Sequence, residues 1–308
     1  MRHMLEALAK QIRSLSESET VVLKAVSLRE AAIPLLREVL FERDPTGIYH
    51  ARIRAIKALA ALGAFDPIAE YVREWRPATD PVERLGDEAV LSTAARALAA
   101  ARRETDRSLL LEAARTHPVP GVLEAVGEFG ITEAIPHLIK ALEDDVNRAS
   151  AEQALKKIGR PCVSALVEAA LSPHTSKSGR ETPSSVIRRR SALRLLSELG
   201  IKAESWRLLC RLTNDPDDEV AALACRLGLC FAPPESRQEC ALKLVRLLEV
   251  AGSLLKCEIE EWLVDYFAIA GQAVERALQE RAKISRSNLP GQKFFQALLR
   301  IKARATRP

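Results

Sequence analysis

Aromatic residues are scarce in this chain. They make up 4% of its 308 residues, and the commonest apolar residues are Leu and Ala. A β-sandwich core uses many aromatic and β-branched side chains along alternating strands, so this composition argues against that class. Small and branched aliphatic side chains favour closely packed helices. The sequence therefore predicts an all-α protein.

Long apolar runs are also lacking. No stretch of 18 consecutive apolar residues occurs, so we expect no membrane span and no membrane partner. The first ten residues are charged every few positions and lack the apolar segment of a secretion signal. We therefore expect a cytoplasmic protein.

Motifs that carry catalysis or bind metals are missing from the sequence. The six cysteines form no Cys-x-x-Cys pair, and the five histidines are scattered without His-x-x-x-His or His-Glu. No glycine-rich phosphate loop and no Gly-x-Ser-x-Gly motif occurs. We therefore predict no catalytic residues, no metal ligands, no cofactor and no small-molecule substrate. On this basis the protein is expected not to be an enzyme.

The net charge is mildly basic. The sequence has 46 Lys and Arg against 41 Asp and Glu, which gives a formal charge of +5 and an isoelectric point near 8.9. This balance permits an anionic partner but does not require one.

A short ending, composed of a small residue, an apolar residue and glycine, recurs along the chain. It closes segments at Gly63, Gly130, Gly159, Gly200 and Gly271, with weaker copies at Arg102 and Ala232. Glycine terminates helices because it adopts the left-handed conformation without strain. The endings are 28 to 41 residues apart, a spacing typical of stacked helix pairs in which no pair buries its apolar face alone.

Signals for the start of a helix often precede the second helix of a predicted pair. They are Asp44-Pro45, Asp80-Pro81 and Asp215-Pro216, with Ser172-Pro173 and Asp144-Asp145 as variants. Asp or Ser caps free backbone amides at a helix start, and proline at the next position loses no hydrogen bond. First helices are predicted at 31–41, 132–143, 161–171 and 204–212. A capping box is predicted at Ser27-Leu28-Arg29-Glu30.

The predicted second helices resemble the HEAT-repeat consensus. The matching residues are Arg52, Ala55, Ala58, Leu59 and Gly63 in one repeat, Arg148, Ala151, Ala154, Leu155 and Gly159 in another, and Arg189, Ala192, Leu196 and Gly200 in a third. The resemblance covers roughly residues 28 to 282. It implies a right-handed α-solenoid of about seven helix pairs, in which one row of helices lines a concave face. It implies little about function, because this architecture serves scaffolds, transport adaptors and some enzymes.

Three segments are predicted: an N-terminal capping segment at 1–27, the repeat array at 28–282, and a C-terminal capping helix and tail at 283–308. Within the array, residues 172–186 have the composition of a loop, and residues 76–88 do so more modestly. An insertion in an array projects from the stack, so both are candidate contact points. The amphipathic stretch from Pro290 to Arg304 is expected to cover the last apolar face with Phe294, Phe295, Leu298, Leu299 and Ile301.

One column of positions predicted to be exposed appears when the second helices are aligned by their endings. It contains Lys57, Arg96, Glu124, Gln153, Arg194, Arg226 and Asp265. With their basic neighbours, these positions predict a partner-binding groove. Its residues are Arg54, Lys57, Arg96, Lys157, Arg188, Arg190, Arg194 and Arg226. Within Arg188-Arg189-Arg190 we expect two exposed arginines, whereas Arg189 occupies the consensus arginine position of the repeat.

The favoured function is a non-catalytic scaffold or adaptor. It would hold a partner protein with an acidic surface in the concave groove and against the projecting loops, since charge complementarity gives steering and specificity. A further hypothesis is a regulatory subunit of a larger enzyme. The sequence does not distinguish a subunit from a scaffold, because both are defined by the partner.

The alternative is a nucleic-acid-binding module that resembles the HEAT-like alkylpurine DNA glycosylases. Basic residues at a repeated spacing can bind successive phosphates of a nucleic-acid backbone. Those glycosylases hold damaged DNA with Trp, Asp and Arg on the concave face, and Trp262 and Asp265 lie three residues apart here. Trp75 and Trp206 are expected on first helices, away from that face. Bilin lyases also use related repeats, but no residue in this sequence identifies a tetrapyrrole site.

Overall fold

The structure, a computed structural model, describes residues 2–15, 20–282 and 289–306. These residues form 18 α-helices, several of them preceded or followed by a 3-10 turn, with one isolated β-bridge and no strand. The all-α prediction is confirmed. The chain divides into two compact units, Met1–Gly159 and Arg160–Pro308, here called unit 1 and unit 2. Within the described ranges, no helix is both long and apolar enough to cross a lipid bilayer.

The described residues of unit 1 form ten helices. They are α1 (Arg2–Arg13), α2 (Thr20–Ser27), α3 (Ile33–Phe41), α4 (His50–Ala61), α5 (Asp66–Glu74), α6 (Pro81–Ala101), α7 (Arg107–Thr116), α8 (Pro120–Phe129), α9 (Ile135–Ala141) and α10 (Arg148–Ile158). From α3 onward they form pairs. The second members α4, α6, α8 and α10 contact one another in that order, as do the first members α3, α5 and α7. This order of contacts is that of a solenoid.

The described residues of unit 2 form eight helices. They are α11 (Val163–Leu171), α12 (Pro183–Leu199), α13 (Ala203–Leu209), α14 (Asp218–Phe231), α15 (Pro234–Val250), α16 (Ser253–Asp265), α17 (Phe267–Ala282) and α18 (Leu289–Ala305). The second members α12, α14, α16 and α18 contact one another in sequence. A row of second helices therefore forms one side of this unit.

Short sequence patterns predicted most helix ends correctly. The predicted first helices coincide with α3, α9, α11 and α13, each extended by a 3-10 turn at one end. Gly63, Gly130, Gly159 and Gly200 end their helices with φ between 73° and 79°. Asp80 caps α6 by accepting hydrogen bonds from two backbone amides of its first turn.

Other helix signals were misread. Asp44 accepts hydrogen bonds from the amide and hydroxyl of Thr46 in a turn, and α4 begins only at His50. Gly271 lies inside α17 instead of ending a helix. The hydroxyl of Ser27 donates to the carbonyl of Lys24, so the predicted capping box does not form.

The predicted loop at 76–88 is largely helical, because α6 starts at Pro81. Gly86, in the second turn of α6, lies against the backbone of Gly47. The prediction that this segment leaves the stack is therefore wrong. Val82 and Leu85 in the same segment are nonetheless exposed.

Two glycines of α8 allow close packing in unit 1. A Cβ atom on Gly127 would lie within 3.0 Å of the Cα of Ala154 on α10, and one on Gly121 would lie equally close to the backbone of Ser92 on α6. No larger residue fits at either position without a shift of a neighbouring helix. Glycine therefore sets the spacing of α8 from both neighbours.

Two consensus arginines join neighbouring helix pairs. Arg52 donates to the carbonyl of Leu40 at the end of α3 and forms a buried ion pair with Asp87 of α6. Arg189 donates to the carbonyl of Ala170 at the end of α11 and pairs with Asp215 before α14. Each guanidinium thus fixes a second helix both to its own first helix and to the next pair.

The C-terminal helix α18 covers apolar surface of unit 2. Phe294, Leu298 and Ile301 are buried, and α18 packs on α16 and α17. Leu299 remains 38% exposed. Part of the predicted tail, residues 283–288, lies outside the described residues. The segment boundaries at 27 and 282 remain predictions.

Candidate functional site

Arg54 is not available for binding in unit 1. Its side chain is 8% exposed and donates to the carbonyls of Ile12 and Ser14 at the end of α1. The prediction that Arg54 lines an open groove is therefore wrong, because the guanidinium holds α4 against the N-terminal helix.

The other basic candidates of unit 1 are exposed on second helices, and two of them form ion pairs with glutamates of α8. Arg96 of α6 pairs with Glu124 of α8, with Nε and Oε2 2.6 Å apart, and Lys157 of α10 pairs with Glu128 of α8. The hydrogen bond from Arg96 outweighs burial and lowers the pKa of Glu124 below its ordinary value. Lys57 is exposed on α4. The second-helix row of unit 1 thus carries alternating charges instead of a basic track.

Arg188 in unit 2 is buried as well. Its side chain is 5% exposed, bonds the ring of His174 with Nη1 and Nε2 2.9 Å apart, and donates to the carbonyl of Ser172. Arg189 is buried as expected. Only Arg190 of the triplet is partly exposed, so the prediction of two exposed arginines is wrong.

Arg190 and Arg194 of α12 form ion pairs with carboxylates of the next two second helices. Arg190 pairs with Asp217 at 2.6 Å and with Glu219 at 2.8 Å. Arg194 pairs with Glu219 at 2.9 Å and with Glu258 of α16 at 3.0 Å. Two guanidinium groups and three carboxylates therefore form one continuous network across α12, α14 and α16.

The network favours the charged forms of Asp217 and Arg194. Burial by itself would raise the pKa of Asp217, but hydrogen bonds from Arg190 and from the amide of Val220 outweigh it and lower that pKa. Burial likewise works to lower the pKa of Arg194, and the carboxylates of Glu258 and Glu219 raise it instead. Both signs of charge are thus fixed in place at neutral pH.

Aromatic and thiol groups adjoin this network on α14 and α16. The guanidinium carbon of Arg226 lies 5.2 Å from the centre of the Trp262 ring. One turn further along, the Cys230 thiol and the Tyr266 hydroxyl lie 2.9 Å apart. The contact with Cys230, together with burial, raises the pKa of Tyr266, so its hydroxyl stays protonated at neutral pH.

These side chains define what we call the polar face of unit 2. Its members are Arg190, Arg194, Asp217, Glu219, Arg226, Cys230, Glu258, Trp262 and Tyr266. Trp262 is buried beneath Arg226, and the other members are half-buried. Trp, Tyr and Arg are the side chains that most often dominate the binding energy of protein interfaces.

The structure brings three of the predicted residues together on one face of unit 2, and the remaining exposed candidates lie in unit 1. Arg190, Arg194 and Arg226 share the polar face of unit 2, whereas Lys57, Arg96 and Lys157 belong to the second-helix row of unit 1. Sequence reasoning missed the acidic partners on the polar face, as well as Cys230 and Tyr266. Acidic residues at the start of the next second helix, as in Asp217-x-Glu219, were the available signal.

The described part of the chain contains free thiols but no cluster suited to a metal ion. Among the described residues, no group of three or more His, Cys, Asp and Glu is placed to hold a metal. All six cysteines are free. Cys162, Cys225 and Cys240 are buried, Cys230 is half-buried, and Cys210 and Cys257 are exposed.

Comparisons with known proteins give a likeness in fold. No family model matches the chain, and no curated protein matches its sequence. Among solved structures, the chain aligns with the complex of CpcE and CpcF of phycocyanin lyase from Nostoc sp. PCC7120. The alignment has 18% identity, covers 85% of this chain and 94% of that chain, and has a TM-score of 0.35.

This finding corrects the prediction that the protein is not an enzyme. That prediction rested on the absence of catalytic motifs from a helical array, and the matched structure is that of a lyase. Neither a helical-repeat fold nor the lack of short catalytic motifs decides by itself whether a protein is an enzyme. A likeness of this size assigns no reaction, substrate or partner to this chain.

Proposed function

We propose that the protein binds a partner protein through the polar face of unit 2. The observation that carries the proposal is the placement of Arg226 over Trp262 beside the Cys230–Tyr266 contact. The half-buried side chains of Arg226 and Tyr266 lie there on a surface of packed helices, and the buried indole of Trp262 supports Arg226 from below. Such a surface supplies both apolar area and directed hydrogen bonds.

The ion pairs around this centre favour binding by limiting its cost. Arg194 is held by two carboxylates, so little side-chain entropy is lost when a partner covers it. A charge that is already paired is also cheaper to bury than a free one. The network thus acts as a preorganised polar rim.

The charge balance of the face bears on the kind of partner. Each of its arginines meets a carboxylate or an indole ring of the same chain. The proposed partner therefore contributes aromatic and hydrogen-bonding groups here. The acidic partner surface predicted from the sequence is not required by this face and remains a prediction for the rest of the protein.

Nucleic acid is less well supported as the ligand. A phosphate would have to displace Asp217, Glu219 or Glu258 from its arginine, and affinity for nucleic acid depends on free cations that neutralise phosphates. Trp262 lies beneath Arg226 and is 6% exposed, so its ring is not open for stacking on a base.

Quantitative affinity capture tests the proposal. The tagged protein and its Arg226→Ala and Tyr266→Ala variants are used with nuclease-treated lysate of the native host, and recovered proteins are measured by mass spectrometry. We expect one partner whose recovery falls at least about tenfold with each variant, the range of an interface hot spot. Arg276→Ala, an exposed change on α17 of the same unit, is the matched control. Equal recovery with all four proteins would overturn the proposal.

A further inference from the structure

The insertion predicted at 172–186 forms an ordered hairpin before α12. Thr175 and Glu181 form an antiparallel bridge, and the amide of Thr182 donates to the carbonyl of His174 at 2.9 Å. At the tip, the amide of Ser176 donates to the carbonyl of Arg180 at 2.7 Å. The segment thus has a defined backbone conformation outside the helical stack.

Three side chains of α12 hold the base of this hairpin. Ser185 accepts from the amide of His174 and donates to Glu181, at 2.9 and 2.6 Å. Arg189 bonds the other oxygen of Glu181 at 2.7 Å. Arg188 bonds both the His174 ring and the carbonyl of Ser172. The buried arginines of the triplet therefore fix the hairpin instead of facing a groove.

The tip of the hairpin is exposed and basic. Every residue from 172 to 180 is exposed, so the segment adds nothing to the apolar core. Among the side chains that the structure describes, neither Lys177 nor Arg180 has an ion-pair partner, and the nearby carboxylate of Glu181 is already bound by Ser185 and Arg189. Two cations without ion-pair partners thus lie on a hairpin that hydrogen bonds hold in place.

Ordering such a segment costs conformational entropy that burial does not return. The same order lowers the cost of binding, because a preformed loop loses little freedom when its ligand arrives. We infer that the hairpin tip binds an acidic segment of a partner protein, with Lys177 and Arg180 each facing a carboxylate. The inference rests on the proposed function, since it names the chemistry of the partner and the element that recognises it.

The local charges favour an acidic protein segment over nucleic acid. Next to the hairpin, Arg189, Arg190 and Arg194 are all matched by carboxylates of the same chain. Two free cations suit one or two carboxylates, whereas a nucleic-acid backbone requires a longer track of free charge. The charges of the hairpin therefore suit a local contact with one acidic segment and do not suit an extended contact with a nucleic-acid backbone.

Fluorescence anisotropy with named probes tests the inference. The probes are a short labelled peptide rich in glutamate, the same peptide with glutamine in place of glutamate, and a short labelled DNA duplex, all at about 50 mM salt. The double variant Lys177→Glu with Arg180→Glu should weaken binding of the glutamate peptide about tenfold or more, because two attractions become repulsions. The matched control is Lys202→Glu with Arg207→Glu, an equal charge change at exposed positions immediately before and within α13, and it should leave affinity within about twofold.

Several results would overturn the inference: equal binding of the two peptides, equal effects of the two double variants, or tighter binding of DNA than of the glutamate peptide. Capture of the partner with the same proteins and with Arg226→Ala separates the two proposals. If Arg226→Ala loses the partner while the hairpin variant keeps it, the hairpin inference fails and the proposed function stands. If only the hairpin variant loses it, the polar face is not the binding site and the hairpin assignment stands.

Discussion

Arg194 and Glu258 form a salt bridge of 3.0 Å between residues 64 positions apart in the sequence. The arginine belongs to α12 and the glutamate to α16, so the contact spans α14, whose Glu219 pairs with the same nitrogen of Arg194. One guanidinium group thereby ties three successive second helices together. The polar face of unit 2 owes its fixed geometry to this contact.

Replacing Arg194 should lower the free energy of unfolding modestly, and the size of the loss should depend on whether Glu258 is present. Arg194→Met leaves Glu219 and Glu258 facing each other, but the side chain is 36% exposed, so solvent screens much of the repulsion. We expect a loss of about 1 kcal/mol in the free energy of unfolding. A double-mutant cycle with Glu258→Gln, measured by urea unfolding, should give a coupling energy of about 0.5 kcal/mol or more. Strict additivity of the two changes would argue against the contact.

The consensus arginines should differ in their effect on stability. Arg189 is buried between Glu181 and Asp215. Arg189→Met leaves both carboxylates without this cation, so it should lower the free energy of unfolding by about 3–5 kcal/mol. Arg148 occupies the same repeat position but pairs with Asp145 near solvent, so Arg148→Met should cost less than about 1 kcal/mol. Chemical denaturation of both variants checks the prediction, and similar losses would contradict it.

Because α8 and α10 approach each other closely, we expect that position 127 does not tolerate an added methyl group. Gly127→Ala places a Cβ within 3.0 Å of the Cα of Ala154, so the helices must separate. We expect a loss of about 1–3 kcal/mol from overpacking, despite the better helix propensity of alanine. Gly252→Ala, whose new Cβ meets no atom within 4 Å, is the control for thermal unfolding. A stabilised Gly127→Ala variant would show that the two helices are not in close contact.

Stability should fall on mild acidification because of His117. Burial, followed by the charge of Arg76, lowers the pKa of His117 below its ordinary value of 6.5, and its ring packs against Trp75 at 4.6 Å. The folded state therefore favours the neutral ring. Its contribution is complete above pH 6.5 and is lost as the pH falls from 6.5 through the lowered pKa.

Urea unfolding at pH values above and below 6.5 measures this effect. His117→Gln should remove part of the decrease in the unfolding free energy, whereas His3→Gln, at a fully exposed side chain, should not. An identical pH dependence in the wild type and both variants would refute a role for His117.

Helix ends were predictable because their signals are local. Gly130 and Gly200 end helices through their own backbone conformation, and Asp80 caps the helix that follows it directly. Gly271 shows the limit of the pattern: its neighbours resemble the other endings, but α17 continues through it. The sequence motif alone does not decide whether the next residues leave the helix.

The candidate site was less predictable, because it depends on which helices face each other and in which register. Arg188 and Arg190 are two positions apart in one helix, yet one is buried beside His174 and the other pairs with Asp217. The basic positions were identified individually. Predicting that Glu219 and Glu258 neutralise them would have required knowing how three helices pack. Sequence spacing does not give that information.

Site-specific photo-crosslinking tests the central claim most directly. A photoreactive amino acid in place of Asp265, an exposed position next to Tyr266, should crosslink the captured partner protein, because the partner covers the polar face of unit 2. The same amino acid in place of Arg276 on α17 should not. Crosslinks from position 265 at clearly higher yield than from 276 are the predicted result. Equal yields, or crosslinks from 276 alone, would contradict the assignment of this face as the binding site.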